Sequence, residues 1–197
     1  METEEIREKK EPKRLPVWAC ILLFALGLFV CMGLYGTIGF GLLSLILGDE
    51  ARHPGLLVYT VTEASMLLSV LTPAVILLYF ERRPFSDLGL TLKGHVRGLW
   101  YGLLVAMLLY LIGFGLSLAI GEVEVTGFQF DPLNLLGTFV FCLLVALTEE
   151  IMMRGYILGR LLHTRMNKFL ALFVSALLFA LLHIFNPNVA FLPMLNL

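Results

Sequence analysis

The sequence predicts an all-α membrane protein, a polytopic bundle of at least five transmembrane helices with a sixth beginning at the C-terminus. Of the 197 residues, 59% are hydrophobic and only 15% are charged, whereas soluble chains carry about 25% charged residues. The charges are clustered, and the apolar stretches between them reach the roughly 20 residues that a helix needs to cross a bilayer. Because these stretches are continuous and lack strand-like alternation, helices are favoured over a barrel.

The apolar stretches define the predicted organisation of the chain. Residues 1–16 form a charged N-terminal tail, and residues 17–197 form the transmembrane domain. The first apolar stretch is too long for a signal-peptide core of about 7–15 residues, so it is interpreted as a retained span. Pro73 is expected to kink or break the second span. The predicted spans are Val17–Leu47, Leu56–Phe80, 99–120, 133–149 with a helical extension to about Leu162, and 169–185, and the sixth opens at 189–197.

The distribution of basic residues predicts the orientation in the membrane. The tail and the loops after the second and fourth spans are rich in Lys and Arg, whereas the loop after the first span has only Arg52 and the loop after the third has none. Cytoplasmic loops carry the excess of Lys and Arg, so the N-terminus is predicted to be cytoplasmic.

Net charge and cysteine usage give no support to two other classes of function. The net charge of −1 gives no indication of a nucleic-acid partner. Cys20, Cys31 and Cys142 all lie within apolar stretches and lack the CxxC spacing of a metal or redox site, so they are predicted to be small packing residues.

Three charged residues follow directly after the fourth apolar stretch. Ionisable groups at such depth are costly and tend to face a protein interior or a water-filled cavity. Glu150 and Arg154 are four residues apart on one helical face and can pair. Glu149 lies about 100° round the helix and lacks that partner, which makes it a candidate general base. Alternatively, all three mark an interfacial helix end with a surface ion pair, and spacing alone leaves both interpretations open.

A second polar residue lies within the fifth span. His183 shares a helical face with Phe179, one turn earlier. A single His near a helix end is more often structural than catalytic. If the fourth span ends at Glu149 and the fifth is straight, His183 lies toward the outer half of the membrane, away from Glu149. A shared site then requires the helix carrying Glu149 to dip back into the membrane, or the fifth span to start shallow.

Together these motifs resemble a known family. Glu-Glu-x-x-x-Arg-Gly at 149–155, followed by Ser-Ala-Leu-Leu-Phe-Ala-Leu-Leu-His at 175–183, is similar to the CPBP family of CAAX prenyl endopeptidases and bacteriocin-processing or immunity proteins. Asn186-Pro187-Asn188 and the segment Asp87-Leu-Gly-Leu90 also look like the family. The resemblance covers residues 85–197.

The resemblance implies an intramembrane endopeptidase that acts on a membrane-associated or lipid-modified protein or peptide. Glu149 would activate a water molecule, with Glu150 and Arg154 supporting the site, and His183 would position or polarise that water. Phe179 and Asn186 are the candidate substrate-binding residues. The breadth of the family favours a bacterial cell membrane, where membrane lipid is the other partner.

The resemblance leaves the cofactor open. The family is commonly called a metalloprotease, yet the motif is not the His-Glu-x-x-His of zinc proteases. Glu149 and His183 would be the metal ligands of a zinc site, and a metal-free glutamate–histidine mechanism is equally compatible with these residues.

One family motif has no counterpart in the chain. Family members carry His-x-x-x-Asn or His-x-x-x-Asp on a later helix, and such donors are worth roughly 3–4 kcal/mol each when they stabilise an oxyanion. His53, His95 and His163 do not fit that role. The open apolar run 189–197 predicts that the natural chain continues past Leu197. A chain that ended there would be a degenerate member of the family.

Two rival functions remain at this stage. A non-catalytic immunity or scaffold protein would keep the polar helix pair for packing. A transporter would use Glu63, Glu149 and Glu150 as a proton or cation path, but the sequence contains no convincing internal repeat. Glu63 by itself is interpreted as interfacial. Gly155 and Gly159 are predicted to let their helix approach a neighbour closely.

Overall fold

The computed structural model describes residues 15–184, and this part of the chain is helical without a strand. Four of its helices are long and apolar enough to cross a membrane, so the predicted all-helical membrane fold is confirmed. The fifth helix has 15 residues and is shorter than the predicted span, and the predicted sixth segment lies outside the described residues. The helices are α1 (Val17–Leu47), α2 (Leu56–Phe80), α3 (Val96–Ala119), α4 (Pro132–Leu162) and α5 (Lys168–Leu182).

Helices α1 and α2 form an antiparallel pair that small residues bring close together. A Cβ atom at Gly39 would lie 2.5 Å from the Ser65 hydroxyl oxygen, and one at Gly27 would lie 2.8 Å from the Cβ of Pro73. Helix α2 continues through Pro73, so the predicted break is absent. The buried Pro73 ring occupies the space that the missing side chain of Gly27 leaves, and this packing accommodates proline within the helix.

Helix α4 is continuous past the charged motif. Asp131 caps its N-terminus by accepting hydrogen bonds from the amides of Leu133 and Asn134 at 3.0 and 3.1 Å. The helix becomes π-helical over Ile151–Leu158 and returns to α geometry before it ends at Leu162. The interpretation of the motif as a helix end is therefore wrong. Such π segments are rare and frequently occur at functional sites.

The core of the described protein is packed around this π-helical segment. Tyr156 is 1% exposed and stacks on Phe24 of α1, with 4.3 Å between the ring centroids. The 3-10 turn Phe85–Leu88 also lies against the segment, because Gly155 leaves room for the Leu88 carbonyl oxygen. A Cβ atom at position 155 would lie only 2.6 Å from that oxygen. The predicted close approach at Gly155 is confirmed, although its neighbour is the backbone of a turn and not another helix.

A buried charged pair joins α2 to α4 beneath this core. The Arg160 Nη2 and Glu81 Oε2 atoms are 2.6 Å apart, although not in hydrogen-bond geometry, and both side chains are about 5% exposed. The Cys20 thiol donates to the other Glu81 oxygen at 3.1 Å, and the Arg160 guanidinium lies over the Tyr156 ring. Cys20 is thus a polar contact as well as a packing residue, whereas Cys142 is exposed, contrary to the prediction.

Helix α3 contributes nothing to the buried core. None of its residues is buried. Glu63, which the sequence suggested was interfacial, is half-buried on α2. The packed part of the described chain therefore consists of α1, α2, α4 and α5 with the 3-10 turn Phe85–Leu88.

The contact at Gly155 can be tested by substitution. A methyl group in Gly155→Ala would meet a backbone carbonyl that cannot rotate away, so we expect a loss of about 1–3 kcal/mol of unfolding free energy. The matched control is Gly159→Ala, where the nearest neighbouring atom, the Asp87 carbonyl oxygen, would lie at an ordinary 3.5 Å. Thermal unfolding in detergent measures both, and equal melting temperatures would contradict the proposed contact.

The buried ion pair makes a second prediction. Arg160→Gln leaves the Glu81 carboxylate buried without its opposite charge, which costs about 3–5 kcal/mol. The exposed Arg165→Gln should change stability by less than about 0.5 kcal/mol. Adding Glu81→Gln to Arg160→Gln should recover part of the loss, because the orphaned charge is then removed. Denaturant unfolding of the single and double variants measures this coupling, and strictly additive losses would exclude it.

Candidate functional site

A short turn folds α5 back along α4. The Thr164 hydroxyl donates to the Leu161 carbonyl at 2.7 Å and accepts from the Met166 amide at 3.1 Å. Asn167 then caps α5 by accepting from the Phe169 amide at 2.9 Å. Because the turn is tight, the two helices run antiparallel, and residues late in α5 return to the level of residues in the middle of α4.

This hairpin brings Glu149 and His183 together. Glu149 Oε1 and His183 Nε2 are 3.6 Å apart, with the two side chains 39% and 20% exposed. Helix α4 continues about 20 Å beyond Glu149, and α5 rises about 22 Å from Lys168 to His183, at 1.5 Å per residue. The two arms are therefore nearly equal in length. The depth mismatch expected for a fourth span that ends at Glu149 does not occur, because α4 extends to Leu162.

The hydrogen bonding of His183 assigns its tautomer. The Nδ1 atom lies 2.8 Å from the carbonyl oxygen of Phe179, and a carbonyl can only accept, so Nδ1 carries the hydrogen. In the neutral ring, Nε2 is then an acceptor that faces the Glu149 carboxylate. Two acceptors 3.6 Å apart cannot bond directly, but both can accept from one water molecule or share one added proton.

The second glutamate has a different partner. Glu150 forms an ion pair with Arg154, as the spacing predicts, and both side chains are more than half exposed. The polar group that faces Glu149 is therefore His183. Each of the two adjacent carboxylates thus has its own polar partner.

An open cavity of about 530 Å³ lies between α4 and α5 at this site. Its polar lining comes from Glu149, Glu150, Arg154 and Ser175, and its apolar lining includes Phe179, whose ring centroid is 4.4 Å from that of His183. Phe179, one of the two candidate substrate-binding residues, therefore lines the cavity. The other candidate substrate-binding residue, Asn186, lies outside the described residues. The apolar lining is Met153, Leu158, Leu172, Ala176 and Phe179.

The donor set was compared with the requirements of zinc. Catalytic zinc sites use three protein ligands and leave one position for water. Within residues 15–184, no group of three His, Cys, Asp or Glu side chains converges, and the site offers Glu149 and His183 alone because Glu150 is turned toward Arg154. The described residues do not complete a zinc site, so no chemical step is derived through a metal.

The sequence did not assign a role to Ser175. Its hydroxyl is 5% exposed and donates across the hairpin to the carbonyl of Met153 at 3.3 Å. The signal was present in the spacing, because Ser175, Phe179 and His183 follow each other at four-residue intervals on one face of α5. A hydroxyl on the face that carries the histidine points toward α4, but its partner is a backbone atom that sequence patterns do not reveal.

Comparison with known proteins gives one match. Residues 131–197 match the family model described as type II CAAX prenyl endopeptidase Rce1-like. Neither the curated proteins nor the solved structures gave a match. The matched stretch contains α4, α5 and both motifs. Over residues 131–197 the chain is therefore similar to the type II CAAX prenyl endopeptidases, and this confirms the resemblance that the two motifs indicated.

Proposed function

We propose that this membrane protein is an intramembrane endopeptidase of the CAAX type, in which Glu149 activates a water molecule. The observation that carries the proposal is the 3.6 Å separation of Glu149 Oε1 and His183 Nε2, with Glu149 lining an open cavity. A carboxylate and an imidazole that both accept hydrogen bonds are suited to bind one water molecule between them. The match of residues 131–197 to the endopeptidase family supports the same reaction class.

The proposed reaction begins with that water molecule. One of its hydrogens bonds to Glu149 and the other to Nε2 of His183, so a lone pair on the water oxygen faces the cavity. As this oxygen forms a bond to the carbon of the peptide carbonyl, Glu149 takes the proton. The protonated Glu149 then donates to the leaving nitrogen as the carbon–nitrogen bond breaks. The products are a carboxylic acid and an amine, and Glu149 returns to its starting charge.

The ion pair beside the site has a supporting role in this proposal. Arg154 neutralises Glu150, which removes a second free negative charge next to Glu149. The guanidinium N–H groups that do not contact Glu150 remain free to donate a hydrogen bond to a developing oxyanion in the cavity.

The cavity suggests the kind of substrate. Its polar lining residues suit a peptide backbone, and its apolar lining residues suit an apolar side chain or an attached lipid. We propose a membrane-associated or lipid-modified protein or peptide, cleaved in a bacterial cell membrane by a protein whose N-terminus is cytoplasmic.

Substitution of the two site residues tests the proposal. In membrane vesicles, Glu149→Gln and His183→Ala should each lower cleavage of a fluorogenic peptide ending in a farnesylated Cys-Val-Ile-Met by about 10²-fold or more, because the base or its orienting partner is lost. Glu122→Gln, in the exposed loop before α4, is the control.

Membrane insertion of each variant should equal that of the unchanged chain, measured by protease protection. Full activity of either site variant would overturn the mechanism. An unmodified peptide of the same sequence, assayed in parallel, determines whether the lipid is recognised.

The donor set makes a prediction about metals. Since the described residues offer two of the three ligands that a zinc site needs, cleavage should persist in 1,10-phenanthroline at a concentration that inactivates a zinc protease added to the same vesicles. Inhibition that zinc reverses would show that the site has further ligands and would replace the metal-free mechanism.

A further inference from the structure

We propose that Ser175 is a positioning residue that fixes the register of α5 against α4 and so holds His183 beside Glu149. This inference rests on the proposed function for its effect on catalysis. Its structural part, the register itself, stands on the hydrogen bond from the Ser175 hydroxyl to the Met153 carbonyl.

The direction of this hydrogen bond distinguishes Ser175 from the other serine and threonine hydroxyls that bond to a carbonyl within the described helices. A serine or threonine within a helix ordinarily bonds to the carbonyl four residues earlier on its own helix. Within the described helices seven do so: Thr37, Ser44, Thr60, Ser65, Ser69, Thr72 and Thr148. Ser175 instead donates to a carbonyl on another helix, 22 residues earlier in the chain.

The position of the partner makes this bond relevant to the site. Met153 lies in the π-helical segment between Glu150 and Arg154, and its side chain lines the same cavity. Ser175 is 5% exposed and Ala171, one turn earlier on α5, is fully buried. Ser175 and Met153 both line the cavity, but the hydrogen bond between them is buried, so its loss would leave the carbonyl without its partner.

The geometry of the hairpin shows why the register must be fixed. From the Ser175–Met153 level, His183 lies about 12 Å farther along α5, and Glu149 lies about 6 Å farther along α4 in the same direction. Side chains lean toward the N-terminus of their own helix. Because the helices are antiparallel, His183 leans back toward Glu149 and Glu149 leans forward toward His183, which closes the difference of about 6 Å.

This arrangement tolerates little slippage. A shift of one helical turn would move His183 by about 5.4 Å relative to Glu149, which is more than the present 3.6 Å separation of their polar atoms. Apolar packing alone allows such sliding, because leucine-rich faces present similar surfaces at successive turns. A directed hydrogen bond to one carbonyl distinguishes the correct register from its neighbours.

The structural test uses Ser175→Ala and a distance measurement that needs no activity. Spin labels are attached at the exposed native Cys142 and at Ile184→Cys, in a chain with Cys31→Ala, while Cys20 is buried and remains unlabelled. Dipolar EPR in lipid should show a shifted or broadened label separation in Ser175→Ala and a recovered separation in Ser175→Thr. Ser69→Ala is the control, since Ser69 is also buried but bonds within its own helix.

The kinetic test separates positioning from substrate binding. In Ser175→Ala, kcat for peptide cleavage should fall by about tenfold to a hundredfold with KM little changed, because a misplaced catalytic group affects the chemical step. Ser175→Thr should restore most of the rate. A change in KM alone would assign Ser175 to substrate binding and overturn the inference.

The two tests also separate this inference from the proposed function. An unchanged label separation in Ser175→Ala overturns the register role, whatever the activity. If Ser175→Ala and Ser175→Thr changed the label separation equally, the change would come from altered packing and not from loss of the hydroxyl. That result would also overturn the register role. A shifted separation in a chain whose unsubstituted form cleaves no peptide would support the register role while removing the peptidase proposal.

Discussion

The pairing of a carboxylate with an imidazole inside the membrane-spanning region is the constraint on which the arrangement of α4 and α5 depends. Neither group is tolerated alone among lipid chains, because each loses its hydration there without a replacement. The structure provides that replacement by returning the chain on itself through a tight turn, so that His183 lies 3.6 Å from Glu149. The neighbouring Glu150 is compensated separately by Arg154.

The same region of α4 serves both the site and the core. On one side, the segment around Glu149 and Arg154 lines the open cavity. On the other, Tyr156 stacks on Phe24, and Gly155 admits the backbone of the 3-10 turn Phe85–Leu88. The π-helical segment is thus held by packing on its core side, and Glu149 and Glu150 directly precede it. A rigid support of this kind is what a catalytic pair requires.

The buried Glu81–Arg160 pair extends this support toward the end of α4. It ties the last turn of α4 to the end of α2, and the Cys20 thiol adds a contact from α1. A hydrophobic contact at this place would tolerate several rotations of α4, whereas charged groups that are almost completely buried must meet their partners. The pair therefore constrains how the last turn of α4 lies against the end of α2.

Much of the fold followed from hydropathy alone. The bounds of α1 and α2 agree with the predicted spans, because lipid imposes a minimum length of apolar helix that is readable from any sequence. The pairing of Glu150 with Arg154 also followed from spacing, because i,i+4 neighbours meet on any helix. Spacing did not reveal the position of Glu149 within α4, because charged residues after an apolar stretch are also typical of a helix end.

The sequence by itself determined the class of the protein, its membrane helices and the two motifs that match the endopeptidase family, because these depend on composition and on contacts within one helix. Only the tertiary structure decided that His183 reaches Glu149, and that Ser175 and Glu81 have partners on other helices. Those facts depend on how two helices slide and rotate against each other. Single hydrogen bonds and close backbone contacts fix the position of one helix against the other, and these contacts produce no periodic pattern in the sequence.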